Sequence, residues 1–352
     1  MLSRVQQLVG VVLLACSGCS QNITTSPSSE SATPMQAAKD KQGGTSTEPI
    51  SKPVLRKFEF HYAFRLNKVS DGSRIRMWIP VPRSSKYQIV KEIQKTLPDG
   101  KATIGVESRH GNTILYVEPT VSDEKFIDLD IAYQIQRSEI LVDQLTVDDV
   151  PKKTRELYLA ANRRVPIDGD AVELIAGVER SDDTFQLARI IYDRVGEHMR
   201  YDKSQPGYGN GDSEWACQNG FGNCTDFHSL FIALARSQSL PGRFEIGFPL
   251  PSDKKQGEIG GYHCWAFFHD SQVGWVPTDI SEADKHPELK EYYFGNLTAN
   301  RVAFTTGRDI DLVPKQESEP LNFFIYPHIE INGKACSKED IDLKFRFRDI
   351  GN

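Results

Sequence analysis

A cysteine in the middle of the chain stands directly before a long apolar segment. Cys224 follows Gly222 and Asn223, and residues 229–236 read Ser-Leu-Phe-Ile-Ala-Leu-Ala-Arg. This segment is apolar on nearly every side, which is typical of a buried helix. At the start of such a helix, free backbone N–H groups and the positive end of the helix dipole stabilise a thiolate. The pattern therefore predicts a nucleophile at Cys224.

Two later motifs supply the partners that a thiolate nucleophile needs. His263 lies in the strand-like run Gly-Tyr-His-Cys-Trp-Ala-Phe-Phe, and Asp279 ends the run Gly-Trp-Val-Pro-Thr-Asp. An imidazole near the thiol acts as its base, and a carboxylate accepts a hydrogen bond from the imidazole and selects its tautomer. We therefore expect Cys224, His263 and Asp279 to form a catalytic triad.

In order, context and spacing these three motifs resemble the bacterial transglutaminase-like superfamily, which has a papain-like thiol fold. His263 follows Cys224 by 39 residues, and Asp279 follows His263 by 16 residues. The resemblance extends over residues 151–308. It implies a nucleophile at a helix start, with the other two residues on adjacent antiparallel strands.

Two residues just before Cys224 are further candidates for the site. Gln218 precedes Cys224 by six positions, the offset at which papain-type proteases carry an oxyanion-hole glutamine. Trp215 is a candidate for the wall of the cleft. Chance placement of Gln218 and simple packing of Trp215 are the alternatives, in which case the backbone N–H of Cys224 is the oxyanion donor.

Two other cysteines stand beside the catalytic motifs. Thiols of exported proteins tend to pair, so a disulfide between Cys217 and Cys264 is one expectation and two free thiols are the other. Metal binding would use these cysteines with Cys224 and His263. That set lacks the paired C-x-x-C spacing of structural zinc sites, so neither a metal nor another cofactor is expected.

Alternating residues predict a different domain before the catalytic one. Apolar side chains occupy every second position of residues 58–66, 75–81 and 127–135, which is typical of half-buried strands. Several such strands separated by turns indicate a β-sandwich. The predicted fold class is α+β, with an N-terminal β-sandwich domain at 53–147 and a transglutaminase-like (papain-like) catalytic domain at 148–310.

The C-terminal residues 311–352 predict a β-hairpin extension packed on the catalytic domain. Residues 321–333 have a strand pattern that ends in the turn signal Asn332-Gly333, and the alternating residues 341–347 are the expected partner strand.

The N-terminus predicts export. Residues 8–14 form an apolar run that is too short for a bilayer but typical of a signal peptide. The sequence Leu-Leu-Ala-Cys ending at Cys16 resembles a bacterial lipobox, so residues 1–19 are predicted to be a signal peptide with a lipidation site. Cys19 is the alternative site, and cleavage without lipidation is the alternative process.

Residues 20–52 are rich in Ser, Thr, Pro, Gln and Lys and predict a flexible linker. A lipid-anchored chain of this kind would stay at the bacterial cell envelope and face the periplasm or the cell exterior.

Charge excludes one class of partner. The 352 residues carry a net charge of −6 without a basic stripe, so no nucleic-acid binding is expected. The predicted function is a thiol enzyme acting through an acyl-enzyme on amide or peptide bonds of a protein or peptide. Water as acceptor makes a cysteine protease or amidase, which the resemblance favours, and an amine makes a transglutaminase. The alternative is a non-enzymatic binding or scaffold module of the envelope.

Lipidation is tested by Cys16→Ser. If Cys16 is the modified residue, the variant and globomycin-treated wild-type cells both accumulate unprocessed precursor, as seen on an immunoblot. Release of soluble mature protein from the Cys16→Ser strain would instead indicate Cys19 or ordinary signal cleavage.

Overall fold

The computed structural model describes residues 52–121, 125–147, 149–178 and 181–351. The predicted signal peptide, the lipidation site at Cys16 or Cys19 and residues 20–51 of the predicted linker lie outside the described residues. Within the described part of the chain, no helix is long and apolar enough to cross a bilayer.

Strands surround a smaller set of helices along the chain. The strands are β1 (Leu55–Leu66), β2 (Ile75–Val81), β3 (Gln88–Thr96), β4 (Gly100–Val106), β5 (Thr113–Pro119), β6 (Ile127–Ser138), β7 (Arg200–Tyr201), β8 (Phe221–Gly222), β9 (Gly242–Pro249), β10 (Gln256–Ile259), β11 (His263–Asp270), β12 (Gly274–Thr278), β13 (Arg301–Thr306), β14 (His328–Ile331), β15 (Lys334–Ala335) and β16 (Ile341–Asp349). The helices are α1 (Lys152–Leu159), α2 (Thr184–His198), α3 (Ser213–Asn219), α4 (Cys224–Ser237) and α5 (Ile280–Lys285).

Two five-stranded sheets are built from both ends of the described chain. One has the order β10-β16-β1-β6-β3, and the other has the order β15-β14-β2-β5-β4. The alternation predicted for β1 is confirmed, since Phe58, Phe60 and Tyr62 are fully buried. The description of these strands as a β-sandwich stays a prediction.

Strand β2 is buried on both faces, although its alternation predicts a half-buried strand. Trp78 has no exposed surface and Arg76 is 7% exposed. The second face is covered because a later segment contributes Ile310, Leu312 and Phe324 to a small core around Trp78. A covering segment more than 200 residues away in sequence leaves no periodic signal in β2 itself.

The predicted C-terminal hairpin is wrong in its pairing. The Asn332-Gly333 turn does join two short antiparallel strands, β14 and β15. The segment 341–347, however, lies in β16 and pairs with β1 over the register Phe58↔Asp349 to Leu66↔Ile341, while β14 pairs with β2. The apolar face of β16 is buried more completely beside β1 than it would be on a two-stranded hairpin.

A four-stranded antiparallel sheet of order β12-β11-β9-β13 carries the catalytic motifs. Helix α4 packs on β11 and β9, and its residues from Cys224 to Arg236 are all buried. The predicted buried helix is thus confirmed. Helix α2 begins after Asp183, whose side chain accepts a hydrogen bond from the N–H of Gln186 and caps the helix.

Helix α1 has only eight residues. It ends at Leu159, because the buried guanidinium of Arg236 donates to the carbonyl oxygen of Ala160 at 2.8 Å and to Oδ1 of Asn162 at 2.6 Å. Asn162 and Val165 then form an isolated bridge. A buried arginine from α4 therefore takes the acceptors near the end of α1.

Aromatic rings join β16 to the sheet that carries the catalytic motifs. The rings of Phe345 on β16 and Phe248 on β9 have centroids 4.3 Å apart. The ring of Phe248 also packs against the rings of Phe60 and Phe304, with ring centroids 5.2 Å apart in each pair. The C-terminal strand is therefore part of the central core.

Replacing Phe345 tests this position of β16. Phe345→Ala should lower the free energy of unfolding by about 3–5 kcal/mol, since the ring is 4% exposed and packs on two sheets. Leu343 lies on the same strand and is 39% exposed, so Leu343→Ala is the matched control, with an expected loss below about 1 kcal/mol. Equal effects of the two variants in urea denaturation would contradict the assignment.

Candidate active site

The start of α4 is held by a reciprocal cap. Oδ1 of Asn223 accepts from the N–H of Thr225 at 2.8 Å, and Oδ2 of Asp226 accepts from the N–H of Asn223 at 2.9 Å. This capping box satisfies backbone donors of the first turn. It fixes Cys224 as the first helical residue, where the thiol is 2% exposed.

Asp226 also attaches the preceding glycine-rich loop to the helix start. Its carboxylate accepts from the N–H of Gly209 at 2.7 Å and of Gly211 at 2.9 Å. Both glycines have positive φ, +84° and +59°, a conformation that other residues adopt only with strain. Burial raises the pKa of Asp226, although these backbone N–H groups oppose the rise.

His263 and Asp279 meet because β11 and β12 pair antiparallel. His263 is the first residue of β11, and Asp279 follows the last residue of β12 and caps α5. Nε2 of His263 donates to Oδ2 of Asp279 at 2.7 Å. This bond leaves Nδ1 as the nitrogen available to the thiol of Cys224.

Arg301 is a further partner of Asp279 that the sequence analysis missed. Its Nη1 donates to the same oxygen, Oδ2, at 3.0 Å, and its guanidinium lies over the ring of Trp265, 4.8 Å from the centroid. Arg301 is 3% exposed. The available signal was a charged residue directly before the apolar residues Val302, Ala303 and Phe304.

His228 supports the site from α4, one helical turn after Cys224. It is fully buried, its Nε2 accepts from the N–H of Ile280 at 3.2 Å, and the same atom lies 3.6 Å from Oδ1 of Asp279. Burial lowers the pKa of His228, although the charges of Asp279 and Cys224 oppose this. His228 therefore orients the start of α5, where Asp279 is the cap.

The pKa values of Cys224 and His263 are shifted in opposite directions. Burial raises the pKa of the Cys224 thiol, but hydrogen bonds from Cys264 and His263 and the charges of His263 and His228 outweigh burial and hold it well below its usual range. Burial lowers the pKa of His263, but Asp279 and Cys224 together raise it to about 10. These directions favour a thiolate–imidazolium pair at neutral pH.

The carboxyl of Asp279 stays ionised in the same cluster. Burial raises its pKa, yet the charge of His263, its hydrogen bond and the charges of Arg301 and His228 hold the pKa well below the usual range. The group is fully buried, so these cations are the reason that a carboxylate persists there.

The backbone at the helix start offers an oxyanion donor. The N–H groups of Asp226 and Phe227 both donate to the carbonyl oxygen of Asn223, and that of Thr225 donates to its side chain. Within the described part of the chain, the N–H of Cys224 has no recorded acceptor. It is therefore free to bind a developing oxyanion.

Gln218 and Trp215 lie on the neighbouring helix α3. Gln218 is exposed, and its role at an oxyanion stays a prediction. Trp215 is half-buried and packs edge-on against Phe221, with ring centroids 5.3 Å apart. Its role in the cleft also stays a prediction.

A cleft of about 430 Å³ opens beside His263. Tyr262 forms part of its wall and is fixed by a 2.8 Å hydrogen bond between its hydroxyl and Oγ1 of Thr225. The remaining wall combines apolar and charged side chains: Tyr201, Lys203, Leu250, Glu258, Ile259, Glu282 and Lys285.

The disulfide between Cys217 and Cys264 is not formed, and both thiols are free. Cys217 is half-buried on α3, whereas Cys264 is buried on β11 and faces α4. Its Sγ lies 3.7 Å from Nδ1 of His228, so the strand alternation directs it into the core under the nucleophile helix. Among the described residues, no group of three His, Cys, Asp or Glu side chains is arranged to hold a metal.

This chain is similar to known proteins in its sequence and in its fold. The family model described as the transglutaminase-like superfamily matches residues 173–280, which include Cys224, His263 and Asp279, so the chain contains a transglutaminase-like domain. An uncharacterized protein of Haemophilus influenzae is 29% identical over 329 residues, covering 81% of this chain and 88% of that protein.

Solved structures extend the likeness beyond that domain. The crystal structure of a proposed cysteine protease from Cytophaga hutchinsonii has a TM-score of 0.55 and 14% identity, covering 85% of this chain and 92% of that one. It shows a shared fold. The periplasmic domain of TgpA from Pseudomonas aeruginosa has a TM-score of 0.38 and 12% identity, covering 70% of this chain and 98% of that one.

Alkylation by iodoacetamide tests the shifted thiol. With its pKa well below the usual range, Cys224 should react at pH 6 within about twofold of its rate at pH 8, whereas an ordinary thiol of pKa ~8.5 would slow on the order of 100-fold. Peptide mapping by mass spectrometry assigns each site.

Cys217 and Cys336 are internal controls, because burial raises the pKa of each thiol and both should stay unlabelled at pH 6. Asp279→Asn should reduce the pH 6 rate of Cys224, since the imidazolium loses its counter-charge. Equal pH dependence of all three cysteines would contradict the thiolate assignment.

Proposed function

We propose that the protein is a cysteine hydrolase of amide or peptide bonds that acts through Cys224, His263 and Asp279. One observation carries the proposal. A thiol at the first position of a buried helix lies in one charge cluster with an imidazole that is hydrogen-bonded to a buried carboxylate. The pKa of the thiol is lowered and that of the imidazole is raised, which is the pattern of an activated nucleophile.

In the acylation step, the thiolate of Cys224 attacks the amide carbonyl carbon and forms a C–S bond. The oxygen becomes an oxyanion, which the N–H of Cys224 is placed to stabilise. The C–N bond then breaks, and the imidazolium of His263 gives its proton to the leaving amine or ammonia. A thioester remains on Cys224.

In the deacylation step, His263 takes a proton from water as the oxygen attacks the thioester. The C–S bond breaks, and the products are a carboxylic acid, which loses its proton to solvent, and the regenerated thiolate–imidazolium pair. Asp279 keeps His263 in one tautomer in both steps. An amine in place of water would give transamidation.

Several features support a peptide or protein substrate at the cell envelope. The cleft beside His263 has a mixed polar and apolar wall with Glu258, Glu282, Lys203 and Lys285, which suits an extended chain with varied side chains. The solved relative from Cytophaga hutchinsonii is a proposed cysteine protease. The lipobox-like sequence at Cys16 supports a lipid anchor in the envelope.

Activity of site variants on a peptide library tests the proposal. Cys224→Ala and His263→Ala should each lower turnover at least a thousandfold, and Asp279→Asn should leave weak residual activity, because an orienting group and not the nucleophile is lost. Products are identified by mass spectrometry with and without an added primary amine. Products with a new carboxylate indicate hydrolysis. Products that carry the added amine would indicate transamidation and contradict the proposal of a hydrolase.

Cys336→Ala is the matched control, since this half-buried thiol lies outside the cluster, and it should keep full activity. The pH profile should be bell-shaped, with activity retained below pH 7 and lost as pH rises through the pKa of about 10 of His263. Wild-type turnover by Cys224→Ala would show that the triad assignment is wrong. Absence of turnover by the wild-type protein itself would favour a binding or scaffold module.

A further inference from the structure

A second cavity, of about 210 Å³, lies between the N-terminal strands and the sheet of the catalytic motifs. It shares no lining residue with the cleft beside His263. On β11, Cys264 and Ala266 face α4, while Phe267 lies on the opposite face and lines this cavity. The cavity is therefore separated from Cys224 by the sheet itself.

The walls of this cavity carry more positive than negative charge. Lys86, Arg137 and Arg243 line it together with one carboxylate, Glu245. Oε1 of Glu245 is engaged by the indole N–H of Trp265 at 3.0 Å. Among the described residues, no ion pair within 4.0 Å is recorded for any of the three cations.

Arg137 is a buried cation in the wall of the cavity. It is 2% exposed, and its Nε and Nη2 have no hydrogen-bond partner within the described residues. Its position in β6 is fixed by pairing with Arg56 on β1 and Gln88 on β3. Burial lowers the pKa of Arg137 to about 10, although the charge of Glu245 opposes this, so Arg137 is still charged at neutral pH. A buried charge without a partner is costly, and a counter-ion relieves that cost.

Arg243 is held in one plane at the other side of the cavity. Its guanidinium lies 4.4 Å from the ring centroid of Phe267 and 4.5 Å from that of Trp275. Its Nε also has no partner within the described residues. Stacking fixes the planar face and leaves the N–H edge for a ligand.

We propose that this cavity binds a small organic carboxylate with a compact apolar body. A planar carboxylate matches the guanidinium fork of Arg137 and can accept two parallel hydrogen bonds. The apolar part of the wall, which includes Ile140, Leu145, Phe267 and Trp275, covers the body of such a ligand. The volume is below the range of about 300–1,000 Å³ for drug-sized ligands, so the ligand is small.

A series of contacts connects the cavity to Asp279 of the proposed triad. Glu245 accepts from Trp265, the other side of that indole is covered by Arg301, and Arg301 donates to Asp279. A bound carboxylate would thus lie behind the group that orients His263, without touching substrate.

Titration calorimetry on the full-length protein tests the site with three probes: sodium benzoate, the neutral isostere benzamide and sodium phosphate. Benzoate should bind with a Kd in the millimolar range or tighter. Benzamide should bind at least tenfold more weakly because it lacks the charge, and phosphate should bind at least tenfold more weakly because it lacks the apolar body. Absence of benzoate binding, or preference for phosphate, overturns the proposal.

Two variants separate binding from folding. Arg137→Met keeps the length of the side chain, should abolish benzoate binding, and should melt without ligand at a Tm no lower than that of the wild type, since an unpaired buried charge is removed. Arg243→Lys keeps the charge but loses the planar fork and should weaken binding at least tenfold. Unchanged affinity in Arg137→Met would overturn the proposal even if benzoate binds.

Asp148, which lies outside the described residues, is two positions after the cavity residue Thr146 in the sequence. Asp148→Asn should leave benzoate affinity unchanged. If the wild type binds no benzoate and Asp148→Asn does, the counter-ion of Arg137 belongs to the chain itself and the ligand proposal is overturned.

Discussion

The buried carboxylate of Asp279 is the group on which the rest of the site depends. It has no exposed surface, and its two oxygens engage His263, Arg301 and the N–H of Glu282. A carboxylate so far from water is stable only with such partners. Because each partner comes from a different element, the charge requires that β11, β13 and α5 keep their relative positions. The imidazolium, and through it the thiolate of Cys224, follow from that arrangement.

The architecture supplies this rigidity from both ends of the described chain. β16 pairs with β1 and packs Phe345 on Phe248 of the catalytic sheet. The short strand β10 pairs with β16 at the edge of the same five-stranded sheet. The loop beside the cleft is therefore tied to the N-terminal strands, so the cleft wall is part of the fold and not an appendage to it.

Buried arginines lie at two places near Cys224, one beside Asp279 and one at the cavity on the opposite face of the sheet. Arg301 neutralises Asp279 directly, whereas Arg137 and Arg243 line a cavity on the opposite face of the sheet. These arginines differ in whether a carboxylate neutralises their charge. Arg301 has a carboxylate at hydrogen-bond distance, whereas Arg137 and Arg243 have none within the described residues. That contrast is the physical reason to expect a ligand in the cavity lined by Arg137 and Arg243.

Local sequence determined several of the elements around the central site. The apolar run after Cys224 and the alternation in β1 each describe one element, and the structure contains both, because burial patterns act within a few residues. Only the tertiary structure decided where β16 pairs, that Cys264 lies under α4 and not in a disulfide, and that Arg301 reaches Asp279. Those outcomes depend on contacts between residues far apart in the chain, and the periodicity of a single segment carries no information about which distant surface will cover it.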